Sequence, residues 1–155
     1  MARLLSRYVP LLAWLALISY ASSGSFSASN TSRFIGPFVL WLFPNTTPET
    51  LLMIHMIVRK LAHFTEYAIL GFLAARAFRT SPRPAIRDRW FLISATIVVT
   101  YALIDEYHQS FVPSRTGSIY DSLIDMAGGL TALLVIRWRT QMSAPEEHNV
   151  YSSEN

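Results

Sequence analysis

Cysteine is absent from this 155-residue chain. Its absence excludes disulfides, thiolate metal sites and a cysteine nucleophile. Charge is also scarce, because only 15% of the residues are Asp, Glu, Lys or Arg, against roughly 25% in soluble domains. Together with 52% hydrophobic residues, this composition predicts an all-α, polytopic membrane protein that folds as a single unit.

The basic residues give the chain a formal net charge of +3. They do not form a stripe with interleaved aromatic residues, so we expect no nucleic-acid partner. Membrane topology explains them better. In a four-span arrangement, four of the 13 basic residues fall on one side of the membrane and nine on the other. The nine are Arg3, Arg7, Arg76, Arg79, Arg83, Arg87, Arg89, Arg137 and Arg139. Since basic residues mark cytoplasmic loops, a bacterial inner-membrane protein with both termini in the cytoplasm is predicted.

Four stretches are predicted to span the membrane in a single domain covering residues 1–140: residues 8–22, 61–78, 90–107 and 119–138. Residues 141–155 are polar and acidic, which predicts a disordered cytoplasmic tail. The first stretch also has the layout of a signal peptide, with a basic start, a short apolar core and small residues at 21–23. We favour a retained helix because Tyr8 and Tyr20 can anchor it at the two interfaces. A cleaved signal is the alternative.

The segment between the first two spans is predicted not to cross the membrane. Residues 22–32 are rich in serine and are expected to form a loop. Phe34–Phe43 is apolar but is interrupted by Gly36-Pro37 and contains ten residues, too few to cross a bilayer as a helix. An interfacial or re-entrant segment is therefore predicted between the first and second spans.

Thr47-Pro48-Glu49 predicts the start of a long helix, because it offers a capping hydroxyl, a proline in the first turn and an acid at the positive end of the dipole. The helix is expected to continue to about Phe78. Its first part, residues 51–58, is expected to lie along the membrane surface or to pack over the bundle. In the linker that follows, Pro82 and Pro84 are expected to prevent a helix.

Two polar clusters lie at the edges of these apolar stretches. One runs from Asp105 to Asp125, and the other surrounds His63. Charged groups at the rim of apolar helices are expensive to place, so they indicate a functional site by default. The four-span topology brings both clusters to the outer face, and helical spacing aligns them on packing faces. The predicted ligand-binding residues are Arg59, Lys60, His63, Glu66, Tyr67, Asp105, Glu106, Gln109, Arg115, Asp121 and Asp125. On the fourth span, small residues near Gly128 and Gly129 are expected to let a neighbouring helix approach closely.

Two motifs in these clusters resemble the signature of VanZ-like membrane proteins. They are His63-Phe64-x-Glu66-Tyr67-x-x-Leu70 and Asp105-Glu106-x-x-Gln109-x-Phe111-x-Pro113-x-Arg115-x(5)-Asp121. The resemblance covers residues 59–136. Ser114 stands where the family usually has glycine, and Asp125 where it often has asparagine. The family is named for a protein linked to low-level teicoplanin resistance, so the resemblance implies a helical membrane fold and a cell-envelope role that includes glycopeptide resistance. It does not imply a reaction.

Three main hypotheses for function follow. In the first, the site binds an amphiphile, such as a lipid-linked cell-wall precursor, a phospholipid headgroup or a lipoglycopeptide. Arginine and lysine suit phosphate, carboxylates and Gln109 suit sugar hydroxyls or amines, and Trp41 or Tyr67 could contact an acyl chain. In the second, the protein is a metal-dependent or acid–base enzyme acting on a lipid or cell-wall precursor, with His63, His108 and the acids as its reactive groups. In the third, the polar residues form a structural network with no ligand.

A transporter is a further alternative, which would require oligomerisation because four short spans are few for that function. No catalytic residue, metal or cofactor is assigned from the sequence, and whether the protein is an enzyme stays open. Membrane lipids are the expected partners, and the oligomeric state also stays open.

Overall fold

A computed structural model describes residues 2–22, 28–112 and 118–143. These residues form helices and connections without a β-strand, which confirms the predicted all-α class. The helices are α1 (Ala2–Tyr20), α2 (Ala28–Leu42), α3 (Pro48–Arg79), α4 (Pro84–Asp88), α5 (Trp90–Gln109) and α6 (Ile119–Met142). A short π-helical turn at Ala21 and Ser22 follows α1.

Helix α3 is the centre of the bundle, and it packs against α1, α2, α5 and α6. Its buried face carries Tyr67, Leu70 and Ala74, none of which is exposed to solvent. Val98 of α5 and Leu133 of α6 are equally buried against it. Many core residues are small, so the helix backbones can approach one another closely.

The crossing of α3 and α6 depends on glycine at three positions. A Cβ atom on Gly128 would overlap the carbonyl oxygen of Phe64, and one on Gly71 would lie 2.5 Å from the carbonyl oxygen of Gly129. A Cβ atom on Gly129 would overlap the side chain of Val98 on α5. The prediction that small residues here permit close approach is confirmed.

The start of α3 is confirmed where the sequence predicted it. Thr47 Oγ1 accepts a hydrogen bond from the backbone N–H of Thr50 at 3.3 Å, and Pro48 occupies the first turn. The backbone N–H of Glu49 and the hydroxyl of Thr47 both bind the Glu49 carboxylate and lower its pKa. The 32 residues of α3 form one continuous helix of about 48 Å, longer than the roughly 30 Å hydrocarbon core of a bilayer. Residues 51–58 therefore continue the helix beyond the length that a bilayer requires.

Two predictions about irregular segments are wrong: the loop at residues 22–32, for the part that the structure describes, and the absence of a helix at Pro84. Residues 28–32 are helical, and α2 continues through Gly36-Pro37. Pro37 removes one helix hydrogen bond, but it is exposed, so its ring can point away from the packed side of α2. Pro84 begins α4 instead of preventing it, because a proline at the first helical position gives up an N–H that would have no partner there.

Among the described residues, α5 and α6 are long and apolar enough to cross a bilayer, and Leu5–Tyr20 of α1 forms a shorter apolar helix. The expected four spans are therefore supported for two helices. Large apolar side chains such as Leu92, Leu123 and Trp138 are more than half exposed, as on a surface that contacts lipid. Helix α6 runs to Met142, past the predicted start of the tail, and residues 144–155 lie outside the described residues.

Candidate functional site

The polar residues of α3, α5 and α6 meet at the end of the bundle where α5 ends and α6 begins, which we call the site end. At its rim, Arg59 Nη2 on α3 donates a hydrogen bond to Asp121 Oδ2 on α6 at 3.3 Å. One turn deeper, His63 Nδ1 donates to Asp125 Oδ1 at 3.1 Å. The spacing of four residues along each helix places these two hydrogen-bonded pairs one above the other.

Asp105 lies on α5 and is 5% exposed. Its two carboxylate oxygens accept hydrogen bonds from two different helices. Gln109 Nε2 donates to Oδ2 at 2.8 Å, and Ser22 Oγ, just past the end of α1, donates to Oδ1. Both donors are neutral, so Asp105 is held by hydrogen bonds instead of by a salt bridge within the described residues.

Glu106 holds the beginning of α6. Its Oε1 accepts a hydrogen bond from the backbone N–H of Ser118, which precedes the first turn of that helix. The connection between them includes residues 113–117, which lie outside the described residues. The predicted site residue Arg115 is one of these.

Four buried polar atoms at the site end have no hydrogen-bond partner within the described parts of the chain. They are Tyr67 Oη, Glu106 Oε2, Gln109 Oε1 and Ser122 Oγ. Burying a polar atom without a partner is costly, so each such atom needs an explanation. The carboxylate and amide oxygens can only accept, so they require a hydrogen-bond donor, whereas the two hydroxyls can donate or accept.

The remaining predicted site residues occupy different surroundings. Lys60 is exposed, and Glu66 is half-buried. Tyr67 is completely buried, so it cannot contact an acyl chain at the lipid-facing surface. Trp41 is 77% exposed at the end of α2. His108, a candidate reactive group in the enzyme hypothesis, points outward and is exposed.

An open groove of about 480 Å³ runs between α1 and α3 beside the site end. Its walls are largely apolar and are formed by Trp14, Val58, Leu61, Ala62, Thr65, Glu66 and Ile69. Trp14 Nε1 donates a hydrogen bond to the backbone carbonyl of Glu66 at 3.0 Å, which fixes α1 against α3 at this level. Tyr101 Oη likewise donates to the backbone carbonyl of Leu15 at 2.6 Å.

The arrangement permits two kinds of chemistry. The carboxylates and unpaired acceptors can bind groups that donate hydrogen bonds. His63, with Nδ1 bound to Asp125, has its ring oriented so that Nε2 can serve as a proton acceptor. Among the described residues, no three His, Asp or Glu side chains are arranged to hold a metal ion.

Sequence reasoning missed Ser22, Ser122 and Trp14 as contributors to this region. Ser22 and Asp105 are 83 residues apart, and the small residues around Ser22 resemble a signal-peptide cleavage site. Ser122 follows Asp121 in sequence, but a serine gives no signal of its own burial. Trp14 lies within an apolar run, and its bond to α3 joins residues 52 positions apart. None of these contacts has a local sequence pattern that would predict it.

A profile of the VanZ/LLP1 family matches residues 8–140. The match extends from α1 to the last turns of α6, and it contains every predicted site residue. No curated protein and no solved structure matches the chain.

Proposed function

This chain belongs to the VanZ/LLP1 family, and from that premise we propose a multi-pass membrane protein whose site end binds the polar head of an amphiphile. In the proposed topology, α1, residues 61–78 of α3, α5 and α6 cross a bacterial inner membrane with both termini in the cytoplasm. The nine-to-four distribution of basic residues supports this orientation. The site end then faces outward, and α2 with the first part of α3 lies at the outer interface.

The observation that carries the proposal is the unpaired amide oxygen of Gln109. Gln109 is 1% exposed, and its Nε2 is bound to Asp105, so its Oε1 is held close to that carboxylate. Within the described residues Oε1 has no donor, and Glu106 Oε2 has none either. Two hydroxyls, or the several N–H groups of a protonated amine, would supply donors for these acceptors, and the surrounding carboxylates would favour a positive charge. We therefore infer a ligand head that carries sugar hydroxyls or an amine, as a lipid-linked cell-wall precursor does.

The groove between α1 and α3 supports an amphiphile over a purely polar ligand. It is open to the surface, its walls are largely apolar, and Glu66 in its lining is one helical turn from His63. Ligand sites commonly combine an apolar cleft with a few convergent polar groups. An acyl or polyprenyl chain in the groove would place its head beside the site end.

The test is to identify the amphiphiles that remain bound to the purified full chain by native mass spectrometry. Gln109→Met keeps the length of the side chain but removes both polar atoms, and Ala62→Trp fills the groove. We expect wild type to retain an amphiphile that both variants lose. Ala127→Trp is the matched control, because Ala127 is exposed on α6 and does not line the groove. Identical lipid content in all four proteins would contradict the proposal.

The role in the cell is proposed from the resemblance to VanZ-like proteins. Expression of the wild-type chain is expected to raise tolerance to teicoplanin, a glycopeptide that itself carries a lipid tail. Gln109→Met should abolish this effect at an equal amount of membrane-inserted protein. Tolerance that is unchanged by Gln109→Met would separate the antibiotic phenotype from the site.

A structural network is the second candidate function of these residues. The hydrogen bonds of Asp105, Asp121 and Asp125 join α1 to α5 and α3 to α6, so they could serve only to hold the bundle together. Buried ion pairs need partners wherever they occur. In that case Gln109→Met would lower thermal stability without changing the bound amphiphiles.

A further inference from the structure

A second pocket lies at the opposite end of the bundle, where α5 begins and α6 ends. It has a volume of about 430 Å³, and we call it the basic pocket. Its lining includes Arg89, Trp90, Phe91, Arg137, Thr140 and Gln141. None of these residues belongs to the site end or to the groove beside it.

The arginines of the basic pocket are available for a ligand. The Cζ atom of Arg137 lies over the Phe91 ring, 5.1 Å from its centroid, in a cation–π contact, and the side chain is exposed, so its N–H groups can still donate. Across the described residues, neither Arg89 nor Arg137 forms an ion pair with a carboxylate. A planar guanidinium presents its N–H groups as a fork, which suits two parallel hydrogen bonds to a phosphate.

The position of the basic pocket along the helices determines which phosphates it can reach. Trp90 is the first residue of α5, and Arg137 and Gln141 lie in the last turns of α6. Both helices are long and apolar enough to cross a bilayer. The pocket is therefore at the level where such helices leave the hydrocarbon and where phospholipid headgroups are found.

We propose that the basic pocket binds the phosphate of an anionic phospholipid. Basic pockets at the ends of membrane helices are suited to acidic headgroups. Asp88 also lines the pocket and would repel an anion, but Arg87 Nε lies 3.8 Å from its Oδ1 and offsets that charge. The pocket keeps a net positive lining from Arg89 and Arg137. This proposal does not depend on a ligand at the site end.

The test uses the full chain purified in detergent and titrated with phosphatidylglycerol, with binding followed by native mass spectrometry. Arg137→Gln should weaken binding by about tenfold or more, because it removes charge-assisted hydrogen bonds to the phosphate and not only a charge near the membrane surface. Arg139→Gln is the matched control, because it removes the same charge from the same helix end but from a residue outside the pocket. It should bind nearly as wild type does. Asp88→Asn should strengthen binding, since it removes the repelling carboxylate.

Comparator ligands identify the source of the phosphate. Phosphatidylcholine should bind more weakly than phosphatidylglycerol, and glycerol 3-phosphate should not displace the lipid at equal concentration. Equal losses for Arg137→Gln and Arg139→Gln would overturn the proposal, because the attraction would then be a diffuse effect of surface charge. Displacement by glycerol 3-phosphate would overturn it in favour of a soluble phosphate ligand. If Arg137→Gln unfolds, Arg137→Lys keeps the charge without the planar fork and should still bind more weakly than Arg139→Lys.

Discussion

Asp105 is a buried acid whose described partners are neutral, and this determines how it should respond to mutation. In Asp105→Asn, the remaining oxygen can still accept from Ser22. The Gln109 amide can turn over so that its unpaired Oε1 accepts from the new N–H. We therefore expect the melting temperature of Asp105→Asn in detergent to stay close to that of wild type.

Asp105→Leu is the comparison variant, because it removes the hydrogen-bond acceptors as well as the charge. Leucine accepts nothing, so the donors of Ser22 and Gln109 lose their partner, at about 1–3 kcal/mol each. Thermal unfolding followed by circular dichroism should separate the two variants clearly. If Asp105→Asn were as unstable as Asp105→Leu, the negative charge itself would be what holds this part of the fold.

For single residues of the site end, the sequence predicted which residues belong to the site better than it predicted their hydrogen-bond partners. The sequence identified Asp105, Gln109 and His63 because charged and amide groups are rare among apolar helices. It did not identify the partners of Asp105, which are a serine and a glutamine. Asp125 replaces an asparagine that is frequent in VanZ-like proteins, and its bond with His63 gives a physical reason for an acid there. Such pairings depend on helix register, which no local pattern encodes.

The α3–α6 crossing gives a prediction for the helix pair. Gly128→Ala would force a Cβ atom into the backbone carbonyl of Phe64, and a rigid backbone cannot move aside as a flexible side chain can. Overpacking of this kind costs about 1–3 kcal/mol, so the melting temperature should fall and the bond between His63 and Asp125 should loosen. Thermal unfolding in detergent measures the first effect.

Gly36→Ala is the matched control for that substitution. The nearest atom to a Cβ on Gly36 is His55 Nε2 at 3.9 Å, an ordinary contact, and alanine favours helix more than glycine does. We expect no loss of stability, or a small gain. Equal destabilisation by the two substitutions would show that helix α6 does not approach α3 as closely as described.

The helices themselves were predicted from apolar runs and caps, and one of the errors came from proline. Pro84 begins a helix in a linker where none was expected, whereas Pro37 lies inside α2. The cost of a proline depends on whether its missing N–H had a partner and on which side of the helix its ring points. Whether the missing N–H had a partner can be judged from the distance between the proline and the helix start. The direction of the ring is known only once the neighbouring helices are in place.

The whole molecule has a predicted orientation that reporter fusions can test. Fusions after Gln141 and within residues 82–87 should report a cytoplasmic location, and a fusion at residue 114 should report an external one. The reason is the excess of basic residues at the α4 end of the bundle. An external signal from residues 82–87 would invert the molecule and place the site end in the cytoplasm.

Helix α1 is expected to remain in the mature protein. Leu11 and Ile18 are buried in the core, and Trp14 and Leu15 are hydrogen-bonded to α3 and α5. Intact mass spectrometry of the purified protein should therefore give the 17.5 kDa of the full chain. A mass that corresponds to removal of residues 1–22 would mean that these contacts are lost and that the signal-peptide alternative is right.

The contact between Ser22 and Asp105 also has a consequence for the order of biosynthesis. The ribosome adds roughly 5–20 residues per second, so the 83 residues between the two partners take about 4–17 s to translate. During that interval α1 is already made, but the acid that its end will bind does not yet exist. Because a helix forms within about a microsecond, translation, and not helix formation, should limit how soon this contact can form.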